Sequence, residues 1–323
     1  MTKSLPVLGV DDLAGAPSPA RPDGGGSSDV PSVDLRSLDQ LWFQVSGTVC
    51  NLRCRHCFIS CSPENHSFWF MSRCEVRTAL ETSRRLGVKE YYFTGGEPFM
   101  NREMPGILED TLAMGPATVL TNATLLPERM VDRLAALAEA SMYSLELRVS
   151  IDGVTAEMND AIRGEGTFRR AMDAVGRLAA AGFLPIVTTM QTWEDEETDE
   201  VLAAFRESLA DVGYRRARLK ILPPLRIGEE AQRSRAYRDV ERVTPEMMRD
   251  YPQELLLCSS ARLVTAAGVW VCPILLDDPE ARAGATLSEA VRVPARLHAQ
   301  ACYTCWAHGA ICSNASDGTR DFT

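Results

Sequence analysis

The chain is 323 residues long, 45% hydrophobic and carries a net charge of −10, enough apolar material for one large domain or for a domain with a small appendage. An acidic balance of this size argues against nucleic acid or an anionic membrane surface as partner, since both favour a basic patch. No run approaches the ~18 apolar residues of a membrane span, and Met1–Val10 lacks the basic-then-apolar pattern of a secretory signal, so the cytoplasm is the expected location.

Residues 1–36 read as a disordered tail, because APSPARPDGGGSSDVPS is dense in Gly, Pro, Ser and Asp and has nothing to bury. From Leu41 strands and helices alternate. The strands expected are Leu41–Ser46, Lys89–Thr94, Ala117–Thr121, Ser144–Ile151, Leu184–Thr189 and Arg216–Ile221. Between the first two, Ser72 and Glu75 form a capping box that opens a helix, and Gly87 supplies its left-handed stop. Further helices are expected near Arg102–Met114, from an N1 proline at Pro127 to about Ala140, at Ala156–Ile162, Thr167–Ala181 and Glu196–Leu209. Six such units imply a parallel sheet with right-handed crossovers, either doubly wound or a partial barrel, whose reactive residues gather at the strand ends.

Those ends carry the informative residues. Cys50-Asn-Leu-Arg-Cys54-Arg-His56-Cys57 follows the first strand, Thr94-Gly95-Gly96-Glu97-Pro98 the second, Thr121-Asn122-Ala123-Thr124 the third, and Ser150-Ile151-Asp152-Gly153 the fourth. Ten cysteines are many for a chain of this kind, and clustered thiols indicate metal more than disulfides. Three thiolates within eight residues can close on three irons of a cubane and leave the fourth iron open to an outside ligand. Zinc is the competing reading, although structural zinc prefers paired units that give four ligands.

CxxxCxxC after a first strand resembles the hallmark of the radical SAM superfamily, with His56 where an aromatic residue usually precedes the third cysteine. The resemblance implies an α/β fold, a partial (β/α)6 TIM-like barrel over residues 37–225, and a [4Fe–4S] cluster on Cys50, Cys54 and Cys57 that cleaves S-adenosylmethionine to a 5′-deoxyadenosyl radical. Gly95-Gly96-Glu97-Pro98 is similar to the family's GGE motif, which holds the amino end of the cosubstrate. Ser150, Asp152 and Arg163 resemble the strand-four region that contacts its carboxylate and ribose, and Asn122 is a further cosubstrate candidate. The resemblance also implies an electron donor such as flavodoxin or ferredoxin.

Over residues 226–323 the pattern changes to a small cysteine-rich extension. Cys258 and Cys272 flank a hairpin around Ala-Ala-Gly268, and Cys302, Cys305 and Cys312 follow. This resembles the SPASM and Twitch auxiliary-cluster extensions, and five cysteines suit one further Fe–S cluster. The expected ligands are Cys258, Cys272, Cys302 and Cys305, with Cys312 a possible replacement for one of them or a free thiol; zinc is again the competing metal. Cys61 and Cys74 read as ordinary thiols. The function expected is hydrogen abstraction from a small molecule or a ribosomal peptide. One auxiliary cluster and no visible leader-binding domain tilt the expectation toward the small molecule. A non-catalytic or electron-transfer iron–sulfur protein and a zinc-stabilised binding module are the alternatives.

Overall fold

The computed structural model describes residues 30–309, 311 and 312, so most of the tail expected over residues 1–36 lies outside the described residues. The exception is its end. Strand β1 (Ser32–Val33) pairs antiparallel with β11 (Ala295–Arg296), and the Leu297 amide donates to the Pro31 carbonyl at 2.9 Å. Composition marked this stretch as tail because two residues of strand, paired only with a distant segment, leave no periodicity to read.

The six expected strands form in order as β2 (Gln40–Gln44), β3 (Glu90–Thr94), β4 (Ala117–Thr121), β5 (Leu145–Ser150), β6 (Ile186–Met190) and β7 (Arg218–Leu222), each parallel to the next. Both faces are covered, which explains their apolar, β-branched and aromatic runs. Trp42 stacks on Tyr92 at 4.3 Å on one face and Phe43 on Phe93 at 5.3 Å on the other, all four buried. The crossovers carry α1 (Arg73–Leu86), α2 (Met104–Leu112), α3 (Glu128–Glu139), α4 (Ala156–Arg163), α5 (Thr167–Ala180) and α6 (Thr198–Asp211).

Helix α1 shows why the local rules worked. The Ser72 hydroxyl accepts from the Glu75 amide at 3.2 Å, Glu75 accepts from the Ser72 amide at 2.7 Å, and Gly87 stops the helix at φ 77°. Pro127, expected at N1, is instead the N-cap residue of α3, with extended ψ of 163°.

After β7 come the short helix α7 (Glu230–Arg233) and the expected hairpin, β8 (Ala261–Thr265) against β9 (Gly268–Trp270). Strand β10 (Arg282–Gly284), α8 (Leu287–Ala290), β11 and α9 (Ala301–His308) complete the extension. The hairpin is not a separate knob: β8 pairs parallel with β2, so one nine-stranded sheet runs β10-β9-β8-β2-β3-β4-β5-β6-β7 without closing on itself. The architecture is a partial barrel whose cysteine-rich extension continues the barrel sheet past its first strand. Among the described residues no helix is long and apolar enough to cross a membrane.

Candidate active site

The loop after β2 is fixed before any ligand is considered. Gly47 takes φ +55° beneath the Phe68 carbonyl, the Cys50 amide donates to Ser62 O at 3.1 Å, and Asn101 Nδ2 donates to Val45 O and Met71 O at 2.8 Å each. Gly96 is the second constraint. A Cβ on it would lie 2.1 Å from Val49 O and 2.7 Å from Cys50 N, so only glycine lets the loop after β3 seat against the first cysteine.

Each thiol of the triplet receives N–H donors. Cys50 Sγ faces Leu52 N at 3.4 Å and Asn122 Nδ2 at 3.8 Å, Cys54 Sγ faces Arg163 Nη1 at 4.0 Å, and Cys57 Sγ faces Cys61 N at 3.2 Å. Burial pushes the Cys50 thiol up to about 12 and that of Cys54 up to about 11, with Arg163 opposing the rise at Cys54. Cys57 is held below the ordinary thiol value by hydrogen bonds from Cys61, whose own thiol is raised in return. Buried thiols that raise one another's pKa, yet sit among N–H donors aimed at sulfur, suit thiolates bound to a cationic metal core.

The other expected residues surround this loop. Glu97 is fully buried: Oε1 accepts from Phe99 N at 3.1 Å and Thr121 Oγ1 at 2.7 Å, and Oε2 from Asn122 N at 2.7 Å. Burial raises its carboxyl to about 7 against those bonds. Its carboxylate thus ties the loops after β3 and β4 together, and the half-buried Gly95–Gly96 backbone is the more open part of the motif. Asn122 reaches the cluster loop a second time, through Asn51 Oδ1 at 3.0 Å.

Asp152 is also buried. Its Oδ2 accepts from Arg163 Nε and meets His56 Nε2, both at 2.5 Å, and its Oδ1 accepts from Met190 N at 2.8 Å. Burial would raise this carboxyl, but Arg163 and His56 outweigh it and hold it well below the usual carboxylate range. His56 Nδ1 is buried with no partner, an open hydrogen-bonding position beside the thiols. Ser150 ends β5 and, among the described residues, its side chain makes no hydrogen bond. The triplet, the glycines, Asn122, Asp152 and Arg163 are therefore brought to one rim, at the carboxyl ends of β2 to β5.

The second cysteine set converges as well. Cys258, Cys272, Cys302 and Cys305 line one apolar cavity of about 30 Å³ with Val271, Ile274 and Leu297. The hairpin brings the first two together, and one turn of α9 places the other two on one face. Burial raises all four thiols, that of Cys258 to about 11 and that of Cys302 to about 12. Cys312 is close enough to Cys272 and Cys305 to raise them too; burial raises its own thiol against the nearby Arg148 and Lys220, and Arg148 Nη1 donates to its carbonyl at 2.6 Å. Among the described residues no three Cys, His, Asp or Glu side chains converge where a single ion could sit.

Two buried cations near the cysteines escaped sequence reasoning. Arg148 lies inside β5, and Arg262, in β8, donates to Ala290 O, Cys258 O, Ala261 O and Val293 O at 2.6–3.0 Å. An arginine inside a strand otherwise rich in apolar residues was the available signal. His56 was noted only as a replacement for an aromatic; its bond to Asp152 joins loops far apart in the chain.

Residues 45–208 match the model of the radical SAM superfamily. The chain is similar to GTP 3′,8-cyclase of Pasteurella multocida (strain Pm70), 30% identical over 158 residues, covering 48% of this chain and 46% of that protein. It is also similar to mycofactocin maturase MftC of Mycobacterium tuberculosis (strain ATCC 25618 / H37Rv), 33% identical over 135 residues, covering 42% of this chain and 33% of that protein. In both, the match spans less than half of the relative's length. Among solved structures, Streptococcus suis SuiB bound to S-adenosylmethionine superposes with a TM-score of 0.60 at 16% identity, over 78% of this chain and 64% of that one. At that identity the likeness is one of fold.

Proposed function

The chain belongs to the radical SAM superfamily, and from that premise we propose that Cys50, Cys54 and Cys57 hold its [4Fe–4S] cluster and that Cys258, Cys272, Cys302 and Cys305 hold a second, auxiliary Fe–S cluster. The observation that carries the first assignment is the N–H donor facing each of the three sulfurs at the carboxyl end of β2. For the second it is the single cavity shared by four thiols. When bound, the first cluster supplies the electron that cleaves S-adenosylmethionine to a 5′-deoxyadenosyl radical, which abstracts hydrogen from substrate.

The chain's own residues bind, orient and exclude water. Gly95 and Gly96 let backbone approach the cosubstrate closely, and Glu97 fixes the loops that carry them. Asn122, Ser150 and Asp152 stand on the same rim, with Ser150 at the end of β5 as a hydroxyl for the cosubstrate. Arg163, expected at the cosubstrate's carboxylate, has its Nε on Asp152 and its Nη1 facing Cys54 Sγ, so Nη2 is the donor left for the cosubstrate. Apolar walls at the second cavity keep water from the auxiliary sulfurs, which favours a fully ligated electron carrier over a substrate-binding cluster. Reducing equivalents would come from a carrier such as flavodoxin or ferredoxin.

Similarity to a maturase supports a peptide as substrate, and the fold likeness to SuiB, also solved bound to its precursor peptide SuiA, is compatible with it. We place a peptide first. The small-molecule reading rests on the similarity to GTP 3′,8-cyclase. Anaerobic reconstitution followed by iron and sulfide counting tests the two-cluster assignment: about eight irons per chain are expected. About four irons, with the same count after the four auxiliary cysteines are changed to alanine, would remove the second cluster from the account.

A further inference from the structure

The three cluster thiols do not face equivalent donors. Cys50 faces a neutral amide and the neutral Asn122 side chain, and Cys57 faces the neutral Cys61 amide. Among the described residues the charged hydrogen-bond donor is the one at Cys54, the Arg163 Nη1 at 4.0 Å, whereas Glu97 and His56 act on Cys50 and Cys57 through space. That guanidinium is not a surface cation that happens to lie near. Its side chain is 12% exposed, that of Asp152 1% and that of His56 10%.

The aim of Arg163 is set by a chain of buried contacts. Its Nε donates to Asp152 Oδ2 at 2.5 Å, which leaves the Nη side of the planar fork to face the thiol. Asp152 is itself fixed from three directions: Met190 N to its Oδ1 at 2.8 Å, its own amide to Asn159 Oδ1 at 3.0 Å, and His56 Nε2 at 2.5 Å. His56 lies between Cys54 and Cys57, so the network closes back on the loop that carries the thiols. A cation held this rigidly cannot follow a mobile ligand as a solvated arginine would.

Resting on the assignment of a cluster to Cys50, Cys54 and Cys57, we propose that Arg163 is a charged hydrogen-bond donor to the Cys54 sulfur that raises the cluster's reduction potential, with Asp152 and His56 as the positioning residues that aim it. Adding an electron increases negative charge on the cubane and its sulfurs. Hydrogen bonds to sulfur and nearby positive charge stabilise the reduced form, which raises the potential. The neutral donors at Cys50 and Cys57 act in the same direction with less effect.

An EPR-monitored redox titration of the reconstituted full chain, following the reduced signal that changes on addition of S-adenosylmethionine, reads this directly. Arg163→Gln removes the charge but keeps a planar N–H donor, and should lower the midpoint by at least 59 mV, a tenfold shift in a one-electron equilibrium. Arg163→Lys keeps a cation opposite Asp152 but shortens its reach, and should lie between. Asn122→Ala removes a neutral donor and should shift the midpoint less than Arg163→Gln. A purely structural Arg163 would lower thermal stability and leave the potential where it is, so an unmoved midpoint in Arg163→Gln overturns the proposal. Should that variant fail to hold its cluster, an unmoved midpoint in Arg163→Lys overturns it instead. Wild-type protein that forms no cluster on these three cysteines would overturn both this inference and the assignment beneath it.

Discussion

Gly96→Ala perturbs the contact on which the site depends. A Cβ built at Gly96 lies 2.1 Å from the Val49 carbonyl oxygen, 2.3 Å from its carbon and 2.7 Å from the Cys50 amide. All three are backbone atoms, so no side chain can turn aside. Restoring ordinary contact needs a shift of about 1 Å between the loops after β2 and β3. The same shift strains the bonds from Gly96 N to Gly47 O at 2.9 Å and from Glu97 N to Val49 O at 3.3 Å. Overpacking of this kind costs about 1–3 kcal/mol, a fall of several degrees in Tm at about 2–4 °C per kcal/mol. The functional loss should be larger, because a misplacement of about 1 Å in a reacting constellation can cost about a hundredfold in rate. Gly87→Ala is the control. It has φ +77° and nothing within 4 Å of a new Cβ, so it should cost about 1 kcal/mol through backbone strain and leave the site intact. The assay is a thermal melt beside iron content and 5′-deoxyadenosine yield for both variants. Wild-type iron and yield in Gly96→Ala would refute the argument that this glycine seats the cluster loop.

Other expectations are more local. Changing Cys50, Cys54 and Cys57 together to alanine should abolish 5′-deoxyadenosine formation and leave about four auxiliary irons; iron analysis and chromatography of the reaction check both. Cys305→Ala should reduce that auxiliary iron; Cys312→Ala should keep it, since the proposed ligands are the four thiols that line the cavity, and a fall in iron would move Cys312 into the set. Ser72→Ala removes one half of the α1 capping box and should cost about 1 kcal/mol in a denaturant melt without altering iron content. Glu97 gives a pH prediction. Its folded pKa is raised by burial from 4.5 to about 7, so the folded chain holds a proton that the unfolded chain releases between those values. Stability should therefore fall as pH rises from 4.5 to about 7, by up to about 1.4 kcal/mol per unit, and level off above. Glu97→Gln should flatten that slope; parallel pH profiles for the two proteins would refute it.

What could be read from the sequence was what is local along the chain. The CxxxCxxC spacing, the Ser72–Glu75 capping box and the Ala-Ala-Gly268 turn each declare themselves within a few residues, and the structure builds the loop, the helix and the hairpin at those positions. Hidden from the sequence was what only the closed fold brings together. An arginine within LRVS and another within ARLVT hint at buried cations, but not that Arg148 holds the Cys312 carbonyl or that Arg262 binds four carbonyls. Strand β8 was visible as a strand, but its pairing with β2, which joins the extension to the barrel, depends on an interface with no local signal. The buried contacts of Asp152 come from three separate elements, His56 in the loop after β2, Arg163 at the end of α4 and Met190 at the end of β6.

The central claim is that Cys50, Cys54 and Cys57 form the centre that cleaves S-adenosylmethionine. Quantifying 5′-deoxyadenosine from reconstituted protein with S-adenosylmethionine and dithionite, beside Cys54→Ala treated alike, tests it most directly. The account predicts product from the wild type and none from the variant. Equal product from both, or none from a wild type carrying its full iron, would contradict it.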